Sequence, residues 1–343
     1  MSSLGLDITH PLVQAPMAGA QNAELAIAVS AVGGLGSLPA GMLTASALDQ
    51  SLSHFRASID GPVNVNFFCH TPAPEDERFS GPWIDSLQPY FDEYGIDVSA
   101  IAEGVERRPF NEEACEVLEG HGPEVVSFHF GLPCKALMDR VHAMGCLVAS
   151  TATTVDEAIW LQNNGADWII AQGLEAGGHR GHFLSKDLSQ QLELKHLLPQ
   201  VLAAVNLPVI AAGGIGDASQ VQSLLSEGAS AVQVGTAFLM CHEATTSNVH
   251  RQAIAAQRGD NTAITNVFSG RPARGIVNRA IRELGPLSPV APPFPQAATA
   301  ITALRQKAEA NNLGDFSPLW SGQNTRGCDT IAAAEMVKRL MLG

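Results

Sequence analysis

Short apolar and β-branched runs recur along the chain, each closed by a glycine or a polar residue and each followed by a stretch of helical periodicity. The runs are LVQAPM (12–17), LGSLPA (35–40), VNVNFF (63–68), VVSFHF (125–130), LVASTA (147–152), WIIAQG (168–173), PVIAAGG (208–214) and AVQVGT (231–236). Several are apolar on both faces, the pattern of parallel strands buried on both sides. The stretches between them carry helix punctuation. Thr44 opens a helix with Leu48, Leu52 and Phe55 on one face before Gly61-Pro62 stops it. Thr154 and Glu157 form a capping box in a helix ended by Gly165, and Asp217 caps a third, with Val221, Leu224 and Leu225 inward and Gly228 at its end. Eight strand–helix repeats in this order predict an α/β fold, a closed (β/α)8 TIM barrel rather than an open doubly wound sheet.

Two stretches interrupt the repeat. Residues 71–122, which include TPAPEDERFSGPW, predict a long insertion after the third strand. Residues 239–317, with the proline cluster LSPVAPPFP (287–295), predict a smaller helical lid domain over the barrel mouth, followed by a final helix at 329–342. The expected organisation is a barrel from 1–238 and 318–343 and a lid or substrate domain from 239–317.

With 343 residues, 45% hydrophobic and 16% charged, the chain can bury a large core and is too apolar for disorder. Its 20 Lys+Arg against 34 Asp+Glu leave a net charge of −14, which repels polyanions. Nucleic acid and anionic membrane are excluded as main partners, and a small molecule is expected, bound by a monomer or homodimer. The six cysteines are scattered without a CxxC pair, and MSSLGLDITHPLVQAPM lacks the basic-then-apolar order of an export signal. No run of about 18 apolar residues occurs. These features predict a cytoplasmic protein with reduced thiols, no membrane span and no metal site.

Barrel enzymes carry their reactive groups in the loops that follow the strands. That filter selects Asn66, His129, Thr151, Gln172, the turn through Gly177 and Gly178 to His179, Gly213-Gly214 and Gly235-Thr236. The seventh strand ends in GGIGD and the eighth in QVGT. Glycines let a backbone approach an oxyanion and the helix opening at Asp217 offers free N–H groups, so the pair reads as a phosphate site, with ordinary tight turns as the alternative. AVGGLGSL (31–38) is not a dinucleotide fingerprint, because it follows a helix and precedes a strand. Asn66 and Gln172 are amides at strand ends. Either alone has a backbone-satisfied alternative, but together they lean towards a flat heterocycle such as a flavin.

GLEAGGHRGHF (173–183) is the stretch densest in chemistry. Its glycines oppose the helix that would gather Glu175, His179 and His182 around zinc, and no third ligand stands at a recognised spacing. His179 reads as a general base or an anion-holding group, since histidine titrates near neutrality. His129 points to the same mouth, either as a second polar contact or as a hydrogen-bonded structural residue, and His182 reads as structural. SGRPARGIVNR (269–279) brings three arginines into an acidic chain, either as a solvated turn or as a lid element that draws small anions.

QAPMAG, VNVNFF, SFHFGLP, QGLEAGGHRG, AAGGIGD, VQVGTAF, SGRPARGI and PLWSGQ, in that order, resemble the nitronate monooxygenase family, formerly called 2-nitropropane dioxygenases, and its class I branch. EAGGHRG and SFHFGLP are the specific pieces. The resemblance implies non-covalent FMN and oxidation of alkyl nitronates, such as propionate 3-nitronate, by O2 to a carbonyl compound and nitrite without NAD(P)H. It implies that Ala18, Gly19, Asn66, Gln172 and Gly177 contact the isoalloxazine and ribityl parts, and that Gly214 with Gln233, Val234, Gly235 and Thr236 holds the phosphate. Gly178 and Gly213 complete these two turns as candidate cofactor contacts. His179 matches the family's catalytic histidine, with His129 as a second candidate catalytic group. The branch tends to place tyrosines around the substrate, whereas this chain has only Tyr90 and Tyr94, with Phe110 and Phe294 near the aligned positions. The alternative is a flavin barrel of another activity, an NADH:quinone reductase or an enoyl-acyl-carrier-protein reductase, whose flanking motif differs from EAGGHRG.

Overall fold

The computed structural model describes residues 4–72, 81–101, 107–256 and 261–342. Eight parallel strands form the barrel: Leu12–Gln14, Gly36–Pro39, Val63–Phe68, Val125–His129, Leu147–Ala152, Trp168–Gln172, Val209–Ala212 and Ala231–Val234. Neighbours in this order pair in parallel from the second strand onward, and the eighth pairs with the first. The ring closes where Gln14 N–H donates to Leu35 O at 2.9 Å and Leu35 N–H donates to Leu12 O at 2.8 Å. All eight predicted runs contain a strand, and those at 63–68 and 147–152 match residue for residue. The others give up their last residues, because the glycines and prolines there turn the chain into the loops of the mouth.

The barrel's outer layer is made of Ala23–Ser30, Ala45–Ser58, Glu112–His121, Lys135–Ala143, Val155–Asn163, Leu194–Ala204, Ala218–Ser226 and Ala333–Leu342. The predicted caps operate: Thr44 accepts from Ala47 N–H, Thr154 from Glu157 N–H and Asp217 from Gln220 N–H. The return half of the capping box differs. One oxygen of Glu157 accepts from the Thr153 N–H and hydroxyl, at 2.7 and 2.8 Å. The other accepts from Phe183 N–H at 2.6 Å and Leu184 N–H at 3.2 Å. One buried carboxylate thus ties the end of the fifth strand to the loop after the sixth.

The interruptions differ from expectation in two ways. Glu112–His121 packs between Ala45–Ser58 and Lys135–Ala143 as the barrel's own third helix, so the chain returns to the repeat earlier than 122. Gly81–Tyr94 does leave the barrel and packs on Ala297–Ala310, while residues 73–80 of the acidic stretch lie outside the described residues. The second difference follows the eighth strand, where the chain is not helical throughout. Helices Asn248–Ala256, Arg279–Leu284 and Ala297–Ala310 are accompanied by the antiparallel hairpin Thr262–Thr265 and Ala273–Ile276. Gly178–His179 joins the edge of this hairpin, with His179 opposite Ala273.

Trp83, Leu87 and Phe91 of the early helix share a core with Val267, Phe268, Ala300, Leu304 and Phe316 from the segment that follows the eighth strand. The last helix begins at Ala333 rather than 329 and packs against Ala218–Ser226 and Ala23–Ser30, which makes it the eighth barrel helix. Leu4, Val13, Leu35, Trp168 and Ile210 fill the barrel interior, leaving the opening on the side of the strand-to-helix loops. Among the described residues, no helix is long and apolar enough to cross a membrane.

Phe316 is fully buried in this core, with Tyr90 and Tyr94 edge-on at ring distances of 5.2 and 5.8 Å. Phe316→Ala is expected to lower the unfolding free energy by about 3–5 kcal/mol in a denaturant titration, and Phe316→Leu by clearly less.

Candidate active site

At the strand ends the barrel mouth opens into a cavity of about 300 Å³, in the range of small-ligand pockets. Ala18, Gly19, Asn66, His129, Gln172, Gly177, Gly178, His179, Gly213, Gly214, Gln233, Val234, Gly235 and Thr236 all lie on its wall. Phe68, Arg107, His250, Arg305, Trp320 and Asn324 also line it and were not singled out from sequence. Of these, Trp320 sits in PLWSGQ and Phe68 in VNVNFF; the others have no motif around them.

The EAGGHRG loop is built residue by residue to hold one imidazole. Glu175 accepts the Leu194 N–H with both oxygens, at 3.0 and 2.9 Å, and so caps Leu194–Ala204, whose own N-cap residue Glu193 makes no side-chain cap. Arg180 is fully buried and donates to Gln172 O at 3.0 Å, Gly173 O at 2.9 Å and Gln191 Oε1 at 2.8 Å. Burial pushes its pKa down to about 9. Gly181 passes so close to Thr151 and His129 that a Cβ would collide with both.

Two side chains converge on the His179 carbonyl. Gln172 Nε2 donates to it at 3.0 Å while Gln172 Oε1 accepts the Gly181 N–H at 2.9 Å. His129 Nε2 donates to the same oxygen at 3.1 Å, and His129 Nδ1 lies 3.0 Å from the Thr151 hydroxyl. Burial pushes the His129 pKa down to about 3, against the opposing effect of its bond to His179 O. A neutral ring that donates from Nε2 has only an acceptor at Nδ1, so Thr151 donates there. Both amide ends of Gln172 and both nitrogens of His129 are therefore engaged by the protein, as in the structural alternatives considered for these residues. His182 is buried, with its carbonyl accepting from Arg271.

The His179 ring itself faces the cavity, enclosed by Phe68, Phe130, Phe294 and Trp320 at centroid distances of 6.2, 6.0, 5.4 and 5.5 Å. Its Nε2 lies 2.8 Å from Ser269 Oγ. Burial holds its pKa well below the ordinary histidine value, and the positive field of Arg107, with His129 and Arg271 behind it, pushes the same way. Arg271 stacks on Phe130 at 3.8 Å, and Arg107 lies over Phe294 at 5.8 Å. Among the described residues, neither arginine forms a salt bridge. Phe130 keeps a left-handed backbone, φ 73°, which a non-glycine residue adopts only when its surroundings fix it. Of the aromatics weighed against the missing tyrosines, Phe294 packs against the His179 ring, whereas Phe110 packs on Phe67 and Phe128 at 4.7 and 5.3 Å. Tyr90 and Tyr94 both pack in the core around Phe316.

The opposite end of the cavity is polar. The turns at Gly213–Gly214 and Gly235–Thr236 lie side by side there, closed over by the strap after Trp320. Gly322 N–H donates to Thr236 Oγ1 and Asn324 Nδ2 donates to Gly214 O, each at 3.0 Å. Of the N–H groups at the start of Ala218–Ser226, that of Gln220 is taken by Asp217, and Gln220 Oε1 takes that of Gly216, so the turn rather than the helix faces the cavity. Asn66 Nδ2 donates to the Ser127 hydroxyl at 2.9 Å, leaving its Oδ1 unused. Gln233 Oε1 is buried with no hydrogen-bond partner, an unmet acceptor on a ligand-sized cavity.

The sequence model of the family described as nitronate monooxygenase matches residues 3–343. A nitronate monooxygenase of Pseudomonas aeruginosa is 37% identical over 98% of this chain and 96% of its own length. One from Paraburkholderia phytofirmans is 36% identical over 98% of this chain and 92% of its own. Among solved structures, nitroalkane oxidase from Streptomyces ansochromogenes is 36% identical and superimposes with a TM-score of 0.89 over 99% of this chain and 96% of that one. FabK from Thermotoga maritima, 24% identical with a TM-score of 0.69, shares the fold. Matched from end to end by the family and by relatives at more than a third identity, this chain belongs to the nitronate monooxygenase family.

Proposed function

We propose that this protein oxidises alkyl nitronates with FMN and O2, yielding a carbonyl compound and nitrite without NAD(P)H. The observation that carries the reading is the His179 ring on the wall of a cavity that it shares with Phe68, Trp320, Arg107 and two paired glycine turns. The unmet acceptor at Gln233 and the unused Oδ1 of Asn66 fit the N–H and hydroxyl donors of a flavin and its ribityl chain. Gly213, Gly214 and the segment Gln233–Thr236 would hold the phosphate, with Ala18, Gly19, Gln172, Gly177 and Gly178 against the ring and ribityl chain. FMN, when bound, supplies the electron acceptor for the nitronate and the centre at which O2 is reduced.

The chain's own groups do the rest. A nitronate is an anion, and Arg107 and Arg271 provide the field that draws it to the pocket. The four aromatic rings exclude water, which strengthens every charge interaction inside. His129 and Gln172 act as positioning residues through the His179 carbonyl. With a neutral nitroalkane, His179 first removes the α-proton, which its depressed pKa leaves it free to do at neutral pH. In this reading residues 239–317 are a substrate-side lid on a barrel of 1–238 and 318–343, in a cytoplasmic monomer or homodimer.

On FMN-loaded protein, propionate 3-nitronate is expected to drive oxygen uptake at a rate that added NADH does not change. Rapid NADH oxidation with no nitronate-dependent uptake would make the protein a reductase instead. His179→Ala is expected to slow nitroalkane oxidation by about 10²–10⁴-fold while flavin absorbance per protein holds. Since the base must be neutral and its pKa is depressed, wild-type kcat for a nitroalkane is expected to stay level as pH falls through 6.5 and to drop only below it. A decline centred at or above 6.5 in a pH–rate profile would exclude His179 as that base.

A further inference from the structure

His179 sits on the edge of the lid hairpin, and its Nε2 lies 2.8 Å from Ser269 Oγ. Ser269 is 2% exposed and opens the SGRPARG turn, which the sequence left between two readings. The turn has little freedom. Ser269 N–H and Gly270 N–H both donate to Asn266 O, at 3.4 and 2.8 Å. Gly270 holds φ +83°, and a Cβ there would collide with Pro292 O and Phe294 N. The hydroxyl is thus fixed between the lid backbone and the imidazole.

A serine hydroxyl has one proton and two lone pairs. Three partners surround Ser269 Oγ: the Arg271 N–H at 3.4 Å, the Arg271 carbonyl at 3.3 Å and His179 Nε2 at 2.8 Å. The one arrangement that satisfies all three gives the hydroxyl proton to the carbonyl, which can only accept. The Arg271 N–H uses one lone pair, and the other is met only if Nε2 carries a hydrogen. A neutral imidazole protonated on Nε2 keeps its lone pair on Nδ1, and among the described residues the protein's bond to this ring is made at Nε2.

We propose that Ser269 is a positioning residue that fixes His179 in the Nε2–H tautomer, so that Nδ1 is the atom that takes the α-proton of a neutral nitroalkane. The proposal rests on the nitroalkane and nitronate chemistry proposed above. In this step the α C–H bond breaks, its electron pair stays on the substrate as the nitronate, and the proton passes to Nδ1. The imidazolium so formed still donates from Nε2 to Ser269, which accepts a stronger hydrogen bond from the charged ring than from the neutral one. A preformed nitronate has no α-proton to surrender and does not call on this arrangement.

The test joins ¹⁵N NMR of histidine-labelled, FMN-loaded protein with kinetics of Ser269→Ala on nitroethane and on ethyl nitronate. Wild-type His179, assigned by the signal lost in His179→Ala, is expected as the Nε2–H form, and Ser269→Ala as a mixture of tautomers. In Ser269→Ala, kcat for nitroethane is expected to fall about 10–100-fold and kcat for ethyl nitronate by less than about threefold, against the ~10⁴ lost when a serine-protease triad holds the wrong tautomer. An Nδ1–H ring in the wild type, or equal losses for the two substrates in the variant, overturns the proposal. Wild-type protein that oxidises neither substrate overturns the function proposed above instead, and the NMR result still decides the tautomer.

Discussion

Beneath the loop that carries His179 lies a charge with no bulk water around it: the guanidinium of Arg180, bonded to the carbonyls of Gln172 and Gly173 and to Gln191 Oε1. Burying such a group is costly unless its hydrogens are matched, and here three acceptors match them. The two carbonyls stand at the end of the sixth strand, seven and eight residues back along the chain from the arginine. Arg180 therefore pins the end of the loop to its beginning. Glu175 ties the loop's middle to the next helix, and Gln172 and His129 grip the carbonyl of His179 itself. Remove that closed ring of bonds and the glycines on either side would let the imidazole wander. With it, they only let neighbouring elements approach.

The charge distribution works on two scales. The whole chain is strongly acidic, with a net charge of −14, yet its cavity is lined by Arg107 and the Arg305–Glu309 pair, and Arg271 stands behind the His179 ring. Burial keeps His129, His179 and His182 uncharged, so the field at the mouth comes from arginines, whose charge does not change over the pH range in which proteins fold. An acidic exterior repels large polyanions, while the arginines set positive charge at the mouth.

The strands, the glycine turns and His179 were legible because their signals are local: a β-branched run, a glycine pair, a histidine between glycines. What could not be read was anything that depends on the chain doubling back. The position of Gln172 was visible, but not that its amide is claimed by a loop returning to Gly181. Ser269, Phe294 and Trp320 reach His179 from about 90 to 140 residues further along the chain, and no spacing rule connects them. Glu112–His121 was absorbed into the predicted insertion because the acidic, proline-rich run before it masked its start. Yet Asn111, whose side chain accepts from Ala114 N–H, is an ordinary helix cap and was the available sign. The hairpin at 262–276 was hidden for another reason, since two four-residue strands leave too short an alternation to stand out from helical flanks.

The shared core of Gly81–Tyr94 with the lid also bears on how the protein is born. Trp83, Leu87 and Phe91 leave the ribosome early, but the residues they pack against begin at Val267. At ~5–20 residues per second the intervening chain takes roughly 10–35 s to synthesise. Throughout that interval an aromatic helical face is complete while its own counterpart does not yet exist. That face therefore stays open to non-native contacts until the residues from 267 onward have been made.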